Sequence, residues 1–291
     1  GVEVLLNTTT IGVLMEDNMV IGVVEAGAYG IFAVKGKLTI DATGDGDVAV
    51  AAGAHYIYGN CRDRITMWTS LAQYKKPGIN QNNFGGIIDY TRLILTGRKK
   101  GENLWDHGSY VAPRESRHIT GEAVITLTDQ LMLRKYKDTV AICYSNHDPK
   151  GKYTGDIIYF GFLPPHLNIE IPFGAFIPRG LEQLLVTGKA LSCTHDALPA
   201  VRMQCDLQQQ GGVVGLAAAM AVKGNQSITA LDTKKLQTEL IKRGVLPDEI
   251  LKRTIEGKKA DYESIIRELS GDEPFEWLEM DWTEAAVEVS P

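Results

Sequence analysis

The run Ile40-Asp41-Ala42-Thr43-Gly44-Asp45-Gly46-Asp47 constrains this chain more than any other stretch. An apolar segment, Lys37–Ile40, leads into a turn with two glycines, and the alanine-rich, helix-prone stretch Val48–Ala52 follows at once. Strand, tight glycine turn and helix form the local grammar of an α/β unit that binds a nucleotide at the carboxyl edge of a parallel sheet. Glycine opens dihedrals and approach distances that a Cβ closes. A βα turn with no ligand would use the same residues, so the run alone leaves both readings open. Calcium is disfavoured, because an EF-hand loop needs a Glu at its end and residues 48–54, Gly53 included, supply none.

The rest of residues 1–58 reads as strands. Gly1–Asn7 opens with an apolar run of strand type, and Ile11–Met15, Met19–Val24 and Ile31–Val34 form a β-meander punctuated by Glu16-Asp17-Asn18 and Ala26–Gly30. Residues 59–175 carry most of the aromatics and suit a mixed α+β substrate domain, with a helix expected over Ser116–Leu133 and a strand over Thr139–Tyr144. The α/β grammar returns in 176–224. Leu184–Gly188 reads as a short buried strand ending in glycine. A helix over Leu207–Val222 follows, with Gly211, Gly215 and Ala219 on one close-packing face. Residues 225–291 read as a helical tail. Asp232 caps its first helix, Leu236, Leu240 and Ile241 form the apolar stripe, and Gly244 ends it. Two further helices, around Ile250–Ile255 and Tyr262–Leu269, and an acidic surface over 268–291 complete the expectation.

Charge and cysteine usage exclude several classes. The net charge of −6 offers no basic excess to offset phosphate repulsion, which argues against nucleic acid and anionic membranes as partners. No apolar run approaches the ~20 residues that span a bilayer. The four cysteines, Cys61, Cys143, Cys193 and Cys205, include no CxxC pair. That suits a reducing compartment, and a cytoplasmic location is expected. The histidines show no metal-ligand spacing, so no metal is expected.

Thr39–Ala54, TIDATGDGDVAVAAGA, resembles the second dinucleotide signature of glutathione-reductase-like FAD proteins, and more closely that of the bacterial FAD-dependent oxidoreductase family. The resemblance continues in order through Gly1–Thr8, Pro113–Glu122 (PRESRHITGE), Asn168–Pro178, Leu184–Met203, Gln210–Ala221 and Leu231–Gly244. It implies a glutathione-reductase-like, Rossmann-type α/β fold and FAD as cofactor. The implied cofactor residues are Thr8, Ala42, Thr43, Gly44, Asp45, Gly46, Asp47, Gly188, Lys189, Gly211, Gly212 and Val213. Departures accompany it. The family's opening strand-GxGxxG-helix unit is not found, and the chain is expected to begin partway through a longer protein. Gly188-Lys189 stands where the family more often has Gly-Arg, and Gly211-Gly212-Val213-Val214-Gly215 where it has Gly-Gln-Ala-Ala-Gly.

Three residues are candidates for chemistry. His195 follows the strand and turn that the resemblance sets at the flavin, and an imidazole exchanges protons near neutrality. Arg202 and Arg117 carry fork-shaped donors suited to a carboxylate, a phosphate or the electron-rich flavin edge. Each has a structural alternative: a hydrogen-bonded histidine, or a buried ion pair of Arg114 or Arg117 with Glu115 or Glu122. Gly211-Gly212 is read as a helix start whose amides and dipole favour charge on reduced flavin. The expected function is two-electron hydride transfer on a small-molecule substrate. Two other readings stay open: a silent fragment or assembly partner, and a non-redox carbohydrate-acting protein. An exposed sheet edge is expected to favour a homo-oligomer, or a partner chain that supplies the nucleotide-binding half.

Overall fold

The computed structural model describes residues 1–59, 66–70, 111–145, 147–148 and 167–253. These fall in one compact unit, Gly1–Ile255. The expected helix at 262–269, the acidic stretch 268–291, most of the aromatic middle segment and Cys61 lie outside the described residues.

The meander forms as its alternation demands. Strands β1 (Thr8–Glu16), β2 (Met19–Gly27) and β3 (Gly30–Lys35) pair antiparallel in that order. Gly1–Asn7 does not join them, contrary to the strand expected there. The β1–β2 ladder runs out at Thr8 opposite Gly27, and Asn7 turns the chain with φ 53°. Val2 and Leu6 are accordingly 92% and 79% exposed.

The organising element is a parallel pair. Strand β4 (Thr39–Asp41) ends at the glycine turn and leads into helix α1 (Asp47–Ala51). Its parallel partner comes from far along the chain: β11 (Leu184–Val186), with Leu184 opposite Thr39 and Val186 opposite Asp41. Alternate side chains of β11 enter different cores, as the two-residue strand period requires. Leu184 and Val186 pack with Val20, Val48, Ala49 and Ile119. Leu185 packs with β9 (Thr139–Cys143), β10 (Ile169–Pro172) and helix α3 (Gln204–Lys223), the layer on the other side. A strand buried on both faces is apolar throughout, as Leu-Leu-Val is. Among the described residues β4–β11 is the one parallel ladder of named strands. The remaining pairs, β5 (Tyr56–Tyr58) with β8 (Arg117–Ile119), β6 (Trp68–Ser70) with β7 (Val111–Pro113), and β9 with β10, are antiparallel. The chain is thus a mixed α/β protein with small sheets.

Two expected helices differ. Over Ser116–Leu133 the chain forms β8 and then only a short helix, α2 (Leu127–Leu131). Gly121 explains part of this: a Cβ there would stand 2.8 Å from the Gly174 carbonyl, so the segment is pressed extended against residues 174–178. The helix starts only where Thr126 and Asp129 cap each other's backbone amides in a capping box. Helix α3 begins at Gln204, not at Gly211-Gly212, which fall inside it. The positive end of its dipole therefore lies at residues 204–206, and the reading of Gly211-Gly212 as a helix start is corrected.

Helix α4 (Thr233–Lys242) matches its expected pattern: Asp232 accepts from the Lys234 and Lys235 amides, and Leu236 and Leu240 are buried. A short α5 (Glu249–Lys252) follows. No helix among the described residues is long and apolar enough to cross a membrane.

Candidate active site

The parallel register sets two glycine turns side by side at the carboxyl ends of β4 and β11. Gly44 and Gly188 have φ 83° and 87°, and a Cβ on Gly188 would lie 3.8 Å from the Gly44 Cα. The first turn is held from within by a residue that sequence reasoning left out of the site. Asp41, 1% exposed, accepts from the Thr43 amide (3.0 Å), the Thr43 hydroxyl (2.7 Å) and the Ala49 amide (2.9 Å). Thr43 Oγ1 in turn accepts from the Asp47 amide at 3.0 Å. One carboxylate thus spans the turn and the start of α1.

The turn is also clamped from outside. Lys189 Nζ stands 3.4 Å from Asp45 Oδ1, bridging the two turns. The Ser116 hydroxyl donates to Asp45 Oδ1 at 2.5 Å. Arg117 donates to the Asp45 carbonyl (3.1 Å) and pairs with Asp47 (2.5 Å). Its ion-pair partner is therefore Asp47, not Glu115 or Glu122, because β8 runs past the turn with this side chain facing it.

Glu115 and His118, on either side of Ser116-Arg117, point into a separate buried network. Glu115, 1% exposed, accepts from the Met67 amide at 2.8 Å. His118 Nε2 lies 2.6 Å from Oε1, and His195 Nδ1 lies 2.8 and 2.7 Å from Oε1 and Oε2. Burial alone would raise the Glu115 carboxyl, but the hydrogen bonds from His118 and His195 hold it below the ordinary value of 4.5. An ionised carboxylate only accepts, so both facing ring nitrogens carry hydrogens. The Cys193 thiol lies 3.5 Å from His118 Nδ1, which accepts its hydrogen when the ring is neutral. Burial, followed by the Glu115 charge, pushes that thiol well up, so Cys193 stays protonated and is no redox thiolate. The far nitrogen of His195, Nε2, is buried with no hydrogen-bond partner among the described residues; its nearest charged neighbour is Asp196 Oδ1 at 4.0 Å.

The other predicted residues are placed as follows. Ala42 is exposed beside the first turn, while Gly46 is buried at the α1 start. Thr8 opens β1 and donates to the Leu6 carbonyl, and no hydrogen bond among the described residues joins it to the turns. Arg202, 9% exposed, donates to the Asp148 carbonyl at 2.6 Å. Val213 is wholly buried in the larger core. Gly211 and Gly212 have nothing within 4 Å of where a Cβ would stand. A cavity of about 370 Å³, lined by Ile21, Lys37, Gln183 and Gln226 among others, lies at the opposite, amino end of β4 and β11 and contains none of these residues.

Asp41, Ser116, Glu115 and His118 were missed as site residues. The one local signal was Glu115 and His118 framing the arginine of PRESRH; nothing near them in sequence points to His195, 80 positions away.

The turns fit a dinucleotide cofactor on two counts. Their backbones carry no Cβ where they meet, and the space above Gly44 holds a flexible lysine whose Cε would sit 3.4 Å from a Cβ there. Two buried polar atoms without a hydrogen-bond partner among the described residues, Thr187 Oγ1 and His195 Nε2, lie close to the second turn in sequence. Buried groups left unsatisfied are uncommon, and a bound group is one of the things that satisfies them. No curated relative and no solved structure matches the chain. The family model for FAD-dependent oxidoreductases matches residues 1–106 and 89–240. Covering well over half of the 291 residues, that match shows that the chain belongs to the FAD-dependent oxidoreductase family, whose cofactor is FAD.

Proposed function

We propose that this chain forms the flavin-facing part of a glutathione-reductase-like enzyme that moves a hydride between a small-molecule substrate and FAD. The observation that carries it is the pairing of Gly44 and Gly188 at the carboxyl ends of parallel β4 and β11, where α/β folds bind cofactors. FAD, when bound, supplies the two-electron chemistry. The backbone of the Ala42–Asp47 turn and of Gly188-Lys189 would hold it, with Asp41 keeping the first turn rigid. The Lys189 ammonium, a flexible point charge, is suited to a phosphate or an anionic ring edge. His195 is the acid–base residue: Nδ1 is bound to Glu115, and Nε2 is the atom available to exchange a proton. Fold and family do not name a substrate, since sites are grafted onto folds.

The test is direct. The protein, purified and loaded with FAD, should show flavin absorbance at roughly 450 nm. A panel of alcohols, amines, hydroxy acids and reduced nicotinamides is then added anaerobically. Bleaching by one class, reversed by air, supports the reading. Uptake of FMN in preference to FAD, or a bound flavin that no class reduces, counts against it.

A further inference from the structure

Four side chains form one buried line: Cys193, His118, Glu115 and His195. The links are 3.5 Å from Cys193 Sγ to His118 Nδ1, 2.6 Å from His118 Nε2 to Glu115, and 2.7 Å from Glu115 to His195 Nδ1. Packing does not account for such an arrangement. A charged carboxylate is costly to bury, and replacing the set by apolar residues of like volume is often neutral or stabilising. With both imidazoles neutral, every hydrogen along the line has a place. The thiol donates to His118, both imidazoles donate to Glu115, and the Met67 amide takes a further acceptor site. The line ends at His195 Nε2, the one of its ring nitrogens without a hydrogen-bond partner among the described residues.

We propose that Glu115 is the positioning residue of this site: it fixes His195 in the Nδ1–H tautomer and leaves Nε2 as the proton-exchanging atom, while His118, braced by Cys193, holds the carboxylate from its other side. Free neutral imidazole favours the opposite tautomer, with hydrogen on Nε2, which could not accept a proton there. The tautomer is set by whatever the other nitrogen bonds. Among the described residues, the groups around His195 include Glu115 and, through it, His118 and Cys193; Asp196 follows it in its own loop, and His147 Nε2 lies 3.0 Å from the Asp196 carbonyl. Asp196 at 4.0 Å is too far to hydrogen-bond Nε2. The same short segment also ties the array to the cofactor turn. Ser116 and Arg117 bind Asp45 and Asp47, while Glu115 and His118 bind the histidine line. The proposal rests on the flavin reading for its purpose, though not for its test.

The test is nitrogen NMR on the full chain labelled with ¹⁵N-histidine, with the His195 signals assigned by their loss in His195→Gln. In the unsubstituted protein, neutral His195 should carry its hydrogen on Nδ1 and leave Nε2 bare. In Glu115→Leu, which leaves no acceptor facing Nδ1, the hydrogen should move largely to Nε2. Glu115→Asp should restore the Nδ1–H form. An Nε2–H tautomer in the unsubstituted protein overturns the proposal, and needs only the His195→Gln variant for assignment. An unchanged tautomer in a folded Glu115→Leu overturns it equally. Because no turnover enters the measurement, an inactive flavin would sink the proposed function and leave this result standing.

Discussion

Gly46 and Ile119 are fitted to each other: a Cβ on Gly46 would stand 2.7 Å from Ile119 Cδ1 and 2.8 Å from Cγ1. The glycine also holds φ 71°, so a side chain is excluded both by the backbone and by the neighbour. The second glycine of the turn thus packs α1 against β8. Gly46→Ala should cost about 3 kcal/mol in urea unfolding, from strain and overpacking together. In the double variant Gly46→Ala, Ile119→Ala the two losses should fall short of additive, since removing the isoleucine side chain relieves the collision. Full additivity would mean the backbone alone sets the cost.

Asp41 makes the turn depend on a single carboxylate. It accepts three hydrogen bonds while almost fully buried. Asp41→Asn keeps one acceptor but turns an amide NH₂ toward a backbone N–H. The expected loss is about 2–4 kcal/mol, the cost of a buried donor left facing a donor plus the lost charge assistance. FAD retention should weaken in step, as read by the flavin lost during gel filtration. A variant of unchanged stability would mean that water replaces the carboxylate.

Glu170 should shape the acid limb of stability. It is buried, which alone would raise its carboxyl, but Arg253 (2.8 and 2.7 Å), Thr139 (2.6 Å) and Lys135 (3.0 Å) hold it below the ordinary 4.5. A depressed folded-state value means that the unfolded chain binds the proton first as pH falls. Its contribution is therefore complete above about pH 4.5 and is lost below, toward the folded value. Glu170→Gln should lower stability near neutrality and flatten the fall below pH 4.5. Equal slopes in variant and parent would assign that limb to other carboxylates, Glu115 first.

Local features of the fold were legible because they are written in neighbouring residues. The meander, the β4 turn, β11 and the capped α4 each carry their signal within about ten residues. The Ser116–Leu133 segment was misjudged because its extended shape is imposed by Gly174 and by β5, both distant in sequence. The α3 start was misplaced because the glycine pair looked like a terminus, whereas Gln204–Gln210 continues the helix before it. The two glycine turns, and the place of His195 after the second of them, could be read from motif and resemblance. The pairing of Glu115 and His118 with His195 could not, because it exists only once β8 is laid beside the loop after β11.

The last prediction concerns His195 itself. In the FAD-loaded protein, His195→Gln should leave the flavin bound, because the glycine turns do not depend on this side chain for any hydrogen bond among the described residues. The reductant that bleaches the parent should act roughly 10²–10⁴-fold more slowly on the variant, the usual span for losing a general acid–base group. Glutamine can still donate to Glu115, so the fold and the His118 side of the network should persist. That separates a proton-transfer defect from collapse of the buried line, and unfolding midpoints of parent and variant should lie close together. A variant that is reduced at the parent rate would make His195 a structural histidine. Arg202, buried and donating to the Asp148 carbonyl at 2.6 Å, would then be the next side chain to substitute.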